Sequence, residues 1–226
     1  MLWKKQADTI PEMNRQYHSR SLWVWAAIAL IWLTLALRLG LAVIEQPELP
    51  AWQAVLGSFS YFTVLTTLLA ALALSATRVV PWSPLARLGA PGFMGLVVVS
   101  LVLVALVYTL VLRSQWQPEG LRRFVDILLH DVIPVLVCVY WWLYTAKVGL
   151  RYRWVGVWLL YPLIYLAGVL ALSFTGADYP YPFLDAGELG FGRVALNAMG
   201  LLGLYAGLAT GLVALSRWRY RSTTKA

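Results

Sequence analysis

Cysteine, histidine and acidic side chains are all scarce in this 226-residue chain, which has one Cys, two His and ten Asp plus Glu. A single thiol, Cys138, excludes an intrachain disulfide and a Cys-rich metal site. It lies in an apolar run and reads as a small buried hydrophobe. His18 sits in a polar N-terminal tail, so only His130 falls in an apolar stretch, which excludes a bis-histidine haem site. No set of His, Cys and carboxylate residues has zinc-like spacing, and neither a metal nor an organic cofactor is expected. Charge of any kind is thin. Charged residues are 12% of the chain, where a soluble domain carries ~25%.

Apolar residues, by contrast, make up 61%. One water-facing core cannot hide that much apolar surface, and so apolar a chain does not stay disordered. An all-α polytopic membrane protein is the match. Twelve Trp and twelve Tyr suit the belts where a ring sits between lipid and water. A formal charge of +8 would fit nucleic acid. The basic residues sit at the edges of apolar stretches, however, so the expected partners are membrane lipids and a lipid-like substrate, with no nucleic acid.

A bilayer-crossing helix needs about 20 mostly apolar residues. Six stretches qualify, at 22–44, 55–76, 92–112, 124–146, 154–174 and 194–215, and together they form a single membrane domain over 1–226. The first is too long for a signal-peptide core. Lys and Arg choose the side. Lys4, Lys5, Arg15, Arg20, Arg78, Arg87, Lys147, Arg151, Arg153, Arg217, Arg219, Arg221 and Lys225 fall on one side of this arrangement. Arg113, Arg122, Arg123 and Arg193 fall on the other. Both termini are therefore expected in the cytoplasm, and the acidic loops bearing Glu45, Glu48, Asp178, Asp185 and Glu188 outside. A bacterial inner membrane is the expected location.

Polar groups inside a membrane are costly and are functional candidates by default. Counting from the span ends, Arg38, Thr63, His130 and Asn197 come from four different helices. At 1.5 Å per residue they lie roughly 5–12 Å below the outer boundary. The outer loops, including residues 179–185, would lie over that layer. Neutral His130 is a candidate general base. Asp126 lies one turn before it and is placed to orient the imidazole, while Asp131 points about 100° away. Pro134 removes a backbone bond four residues after His130, so a kink is expected.

Ser60, Thr63 and Thr67 fall on one helical face. Such hydroxyls commonly bond back to a helix carbonyl or glue helices together. Thr63 stands out by its depth beside His130, where a base would make it a nucleophile. Arg38 would anchor a substrate carboxylate or pair with Asp126, Asp131 or Glu45. Asn197 would serve an oxyanion or bond across helices, and Tyr161, with Pro162 and Tyr165, would line a wall or donate to an oxyanion. Gly200, Gly203, Ala206, Gly207 and Gly211 suit close helix packing.

Tyr61-Phe62-Thr63-Val64-Leu65-Thr66-Thr67-Leu68-Leu69 resembles the Tyr-x-Thr-x-Leu-Asn-x-Leu stretch of the androgen-induced and androgen-dependent six-helix membrane threonine hydrolases. His130 followed by Pro134 resembles that family's histidine segment. Trp158-Leu159-Leu160-Tyr161-Pro162 and Tyr179-Pro180-Tyr181-Pro182-Phe183-Leu184-Asp185 look still closer to a bacterial branch of six-helix membrane proteins. The resemblance covers nearly the whole chain. It implies hydrolysis of fatty acid esters of hydroxy fatty acids, with Thr63 as nucleophile and His130 as base and no cofactor. The chain departs from the pattern at Thr66, where the family has Asn, and at Asp126, where an amide is expected. Two other functions remain open from the residues. One is a small-solute or proton-coupled transporter with Arg38, Asp126 and His130 as a relay. The other is a non-enzymatic lipid-binding subunit. An intramembrane protease lacks its Gly-x-Ser nucleophile.

Overall fold

The computed structural model describes residues 22–78, 84–146, 150–173 and 179–224. The N-terminal tail with its basic residues and His18 lies outside the described residues, as do Lys147, Phe174, Asp178 and Lys225. Among the described residues all regular structure is helical. We label the helices α1 (Leu22–Glu45), α2 (Ala51–Ser58), α3 (Phe62–Ala76), α4 (Pro91–Leu112), α5 (Gly120–Tyr144), α6 (Arg153–Ser173), α7 (Ala186–Leu189) and α8 (Phe191–Thr224). Five of them are long and apolar enough to cross a membrane, and six spans result if α2 and α3 count as one.

The second expected span, 55–76, is not one helix: α2 and α3 meet at 86°. Local side-chain bonds explain the break. Ser58 Oγ donates to the Ala54 carbonyl and Ser60 Oγ to that of Gly57 at 2.7 Å, offering the backbone an alternative to the helical ladder. The following amides close short turns instead, Ser60 onto Gly57 and Tyr61 onto Ser58. Tyr61 is extended, and the chain restarts as α3. Ser60 therefore leaves the face it was expected to share with Thr63 and Thr67. The last helix also exceeds its expected span, 194–215, because nothing in the charged stretch after Leu215 breaks a helix. Arg219 there donates to the Trp142 carbonyl and lies over the Trp142 ring.

Two helices contain a wide turn. α4 ends in a π turn at Tyr108–Leu112, and α5 carries one at Leu128–Val132. Pro134 accounts for the second. It has no N–H, and its ring opposes the carbonyl four residues back, that of His130. The helix answers by reaching further, with the Ile133 amide bonding the Leu128 carbonyl. The expected kink is thus absorbed as a widened turn.

α4 is apolar all round, as a central helix must be. Half of its most apolar stretch is buried, against 17% for α6. On one side α1, α3, α4 and α5 share a core that includes Ile31, Leu74, Met94, Leu101 and Ile133. On the other side, α6 and α8 pack on α4 through Val99, Leu103, Trp158, Tyr205 and Val213. Val169, Leu184 and Val194 fasten the segment before α7 to α6 and α8. Outward residues such as Val135 and Ile164 are large, apolar and exposed, as a lipid-facing surface requires.

Trp158 joins the two halves. It is 1% exposed, and its indole N–H donates to the Gly92 carbonyl at 2.8 Å. This close approach requires glycine at position 95, where a Cβ would stand 2.4 Å from the Trp158 ring. Gly95→Val is expected to destabilise the fold by at least ~1–3 kcal/mol, the usual cost of overpacking. A thermal melt of the purified protein in detergent reads this, and an unchanged midpoint would refute it.

Candidate functional site

The break before α3 and the wide turn in α5 place two side chains face to face. Thr63, in the first turn of α3, is 7% exposed. Its Oγ1 lies 3.4 Å from Nε2 of His130. That is longer than an ideal hydrogen bond, as unliganded catalytic pairs often are. The far side of the imidazole fixes its tautomer. His130 Nδ1 is 3.0 Å from the Asp126 carbonyl oxygen and 3.1 Å from the Asp126 Oδ1. Both of those atoms only accept, so the proton sits on Nδ1. In the neutral ring Nε2 then turns a lone pair toward the Thr63 hydroxyl, which donates to it. Asp126 thus lies where the sequence placed it, one turn before His130, and holds the ring in the form a base needs.

Tyr108 completes the arrangement. Its ring stacks on the imidazole with centroids 3.9 Å apart and planes 12° from parallel. Its hydroxyl donates to Asp126 Oδ2. Asp131 faces away and pairs with Arg113, and the Arg113 guanidinium lies over the Tyr108 ring.

Two cavities of different character meet at this pair. One, about 430 Å³, is polar and is bordered by Arg38, Glu45, Gln115, Arg122 and Asp126. The other, about 80 Å³, is apolar and lies among Phe62, Leu103, Val107, Leu166, Phe183 and Leu202. Thr63, Tyr108, Leu112, His130 and Tyr181 line both. The hydroxyl–imidazole pair therefore stands between a space bordered by charged residues and an apolar one.

The remaining candidates divide. Arg38 borders the polar cavity, 3.9 Å from Glu45 and over the Tyr61 ring, while Arg122 binds the same Glu45 at 2.6 Å. Arg38 is thus close to the site and already paired. Asn197 lines neither cavity. Its amide donates to the Phe183 carbonyl at 2.9 Å, so it anchors a loop instead of serving an oxyanion. Tyr161 also lines neither cavity, because its hydroxyl is engaged with Thr66 at 2.9 Å. Thr67 bonds back to the Thr63 carbonyl, the ordinary use of a helical hydroxyl.

Two residues of the site escaped the sequence reading. Tyr108 lies four residues before the outer end of 92–112, at the depth of the other polar groups. Depth alone does not single it out, because a tyrosine is also at home in an apolar wall or an interfacial belt. In the sequence Tyr181 is one of several aromatics in a Pro-rich loop. Its hydroxyl reaches the Thr63 side chain and the backbone of Phe62 and Thr63 at the start of α3. Burial pushes the Tyr181 phenol above its ordinary value, and those same contacts pull it partway back. The phenol stays protonated and is a donor beside the Thr63 hydroxyl. Among the described residues no group of three His, Cys, Asp or Glu side chains converges as a metal site would. No family model, curated protein or solved structure matches the chain.

Proposed function

We propose that the protein is an intramembrane hydrolase of lipid esters with Thr63 as nucleophile and His130 as base. The observation that carries this reading is the Thr63 hydroxyl facing Nε2 of an imidazole whose Nδ1 rests on Asp126. Thr63 Oγ1 attacks the acyl carbonyl and its proton passes to Nε2. The Asp126 carboxylate stabilises the imidazolium that forms. The Tyr181 hydroxyl and the amides at the start of α3 steady the oxyanion. The tetrahedral adduct then collapses, and the imidazolium gives its proton to the departing alkoxide. Water next attacks the acyl-threonine, with His130 again taking a proton. The free acid leaves and Thr63 is restored.

The cavities support a lipid substrate. The apolar space beside Thr63 takes the first few methylenes of an acyl chain, while the larger space admits the alcohol product. The family resemblance supports the same two residues and the same class of ester. The excess of Lys and Arg at the other loops and the termini supports a site in the outer leaflet with both termini cytoplasmic, and the resemblance to the bacterial branch supports a bacterial inner membrane. Within that frame the short helix α2, bent by 86° from α3, lies along the outer interface.

A fluorophosphonate probe, which traps activated hydroxyls, tests the reading. Labelled protein analysed by peptide mass spectrometry is expected to carry the adduct on Thr63. An unlabelled wild type, or an adduct on another residue, would refute the assignment.

A further inference from the structure

We infer that Tyr108 is a positioning residue for the His130 base, its ring setting the plane of the imidazole and its hydroxyl holding the carboxylate on which the imidazole leans. The catalytic consequence rests on the hydrolase reading, but the geometry does not. Tyr108 is 6% exposed. Asp126 uses its two oxygens separately, Oδ2 for the Tyr108 hydroxyl and Oδ1 for His130 Nδ1. Because the two rings also stack, phenol, carboxylate and imidazole close on one another. Neither ring can rotate without breaking a contact of the other.

Both rings come from wide turns. Tyr108 opens the π turn of α4, and His130 lies in the middle of the π turn of α5. A π turn shifts the register of the side chains beyond it and is seldom kept without a use. Pro134 accounts for the turn in α5, but no proline lies in or just after the turn in α4. There the Arg113 amide bonds the Tyr108 carbonyl, and the Arg113 guanidinium just beyond the turn lies over the Tyr108 ring.

The charges around His130 decide what removing the hydroxyl does. Asp126 and Asp131 come from α5, Tyr108 from α4 with Arg113 just beyond it, Thr63 from α3, and Tyr181 from the outer loop. Arg38 and Glu45 of α1 and Arg122 of α5 border the shared cavity. Among the described residues, Asp126 is the charged group that contacts the ring. The Tyr108 hydroxyl holds its Oδ2, which keeps Oδ1 turned to Nδ1. With Tyr108→Phe the carboxylate is free to turn, and its hold on the Nδ1 proton weakens.

His130 is the sole histidine once His18 is replaced by Asn, so its tautomer is readable by NMR of ¹⁵N-histidine protein in detergent, without any substrate. Wild-type spectra at high pH are expected to show the proton on Nδ1. Tyr108→Phe is expected to populate the tautomer with the proton on Nε2 as well and to lower kcat on the order of tenfold with little change in KM. Tyr108→Leu, which removes the stack as well, should lose more. A wild-type tautomer ratio in Tyr108→Phe overturns the proposal, whether or not the protein hydrolyses esters. A ratio that shifts in a protein without ester hydrolysis upholds the positioning role and removes the hydrolase reading instead.

Discussion

Thr63→Ala is expected to lower ester turnover on the order of a thousandfold or more and to abolish probe labelling, while Thr63→Ser retains both. The contrast follows from the chemistry. Among the described residues, alanine removes the hydroxyl that faces Nε2, and the neighbouring threonines do not replace it. Thr66 is committed to Tyr161 and Thr67 to the Thr63 carbonyl. Serine restores the nucleophile and loses only a methyl group. The fold should tolerate either change, since the Thr63 side chain contributes no helix cap and α3 starts without one. Release of fatty acid from a long-chain ester in detergent measures turnover, and size-exclusion chromatography checks the fold. Turnover within tenfold of wild type in Thr63→Ala would leave the hydroxyl with a packing role only.

His130→Gln is expected to cost 10²–10⁴ in kcat and to flatten the acid limb of the pH profile. Glutamine keeps a polar group near Thr63 but cannot cycle a proton between nucleophile and leaving group. Asp126→Asn should approach the same loss by another route. An amide can offer its N–H to Nδ1, which favours a proton on Nε2 and turns the wrong tautomer toward Thr63. The double variant should be little worse than His130→Gln alone, because Asp126 acts through the imidazole. Losses that add in full would mean that the two residues work separately, contrary to the contact at 3.1 Å. A transporter built on the same residues predicts a different result. Solute uptake in vesicles would fall in these variants, and the wild type would show no acyl-enzyme.

The helical, membrane-crossing character and five of the six apolar stretches were legible from composition and run length. Both depend on quantities that no fold can change, namely how much apolar surface the chain carries and how long each run is. The pairing of Asp126 with His130 was legible as well, since four residues on a helix make one turn. Depth even brought Thr63 to the level of His130. The break at residues 59–61 was not legible in a stretch that reads as uninterrupted helix. Its cause, hydroxyls bonding to nearby carbonyls and a Tyr165 hydroxyl donating to the Ser60 carbonyl at 2.7 Å, lies partly on another helix.

Composition and spacing thus determined that this chain forms helices long and apolar enough to cross a membrane, which residues are out of place in them, and which of those lie within one helix of each other. Tertiary structure decided the rest: that Thr63 turns toward Nε2, that Tyr108 covers the imidazole, that Asn197 and Tyr161 are occupied elsewhere, and that a polar and an apolar cavity meet at one hydroxyl. Depth fixes only a coordinate along the bilayer normal. The rotation of each helix about its own axis is set by packing against its neighbours, and no single segment contains it.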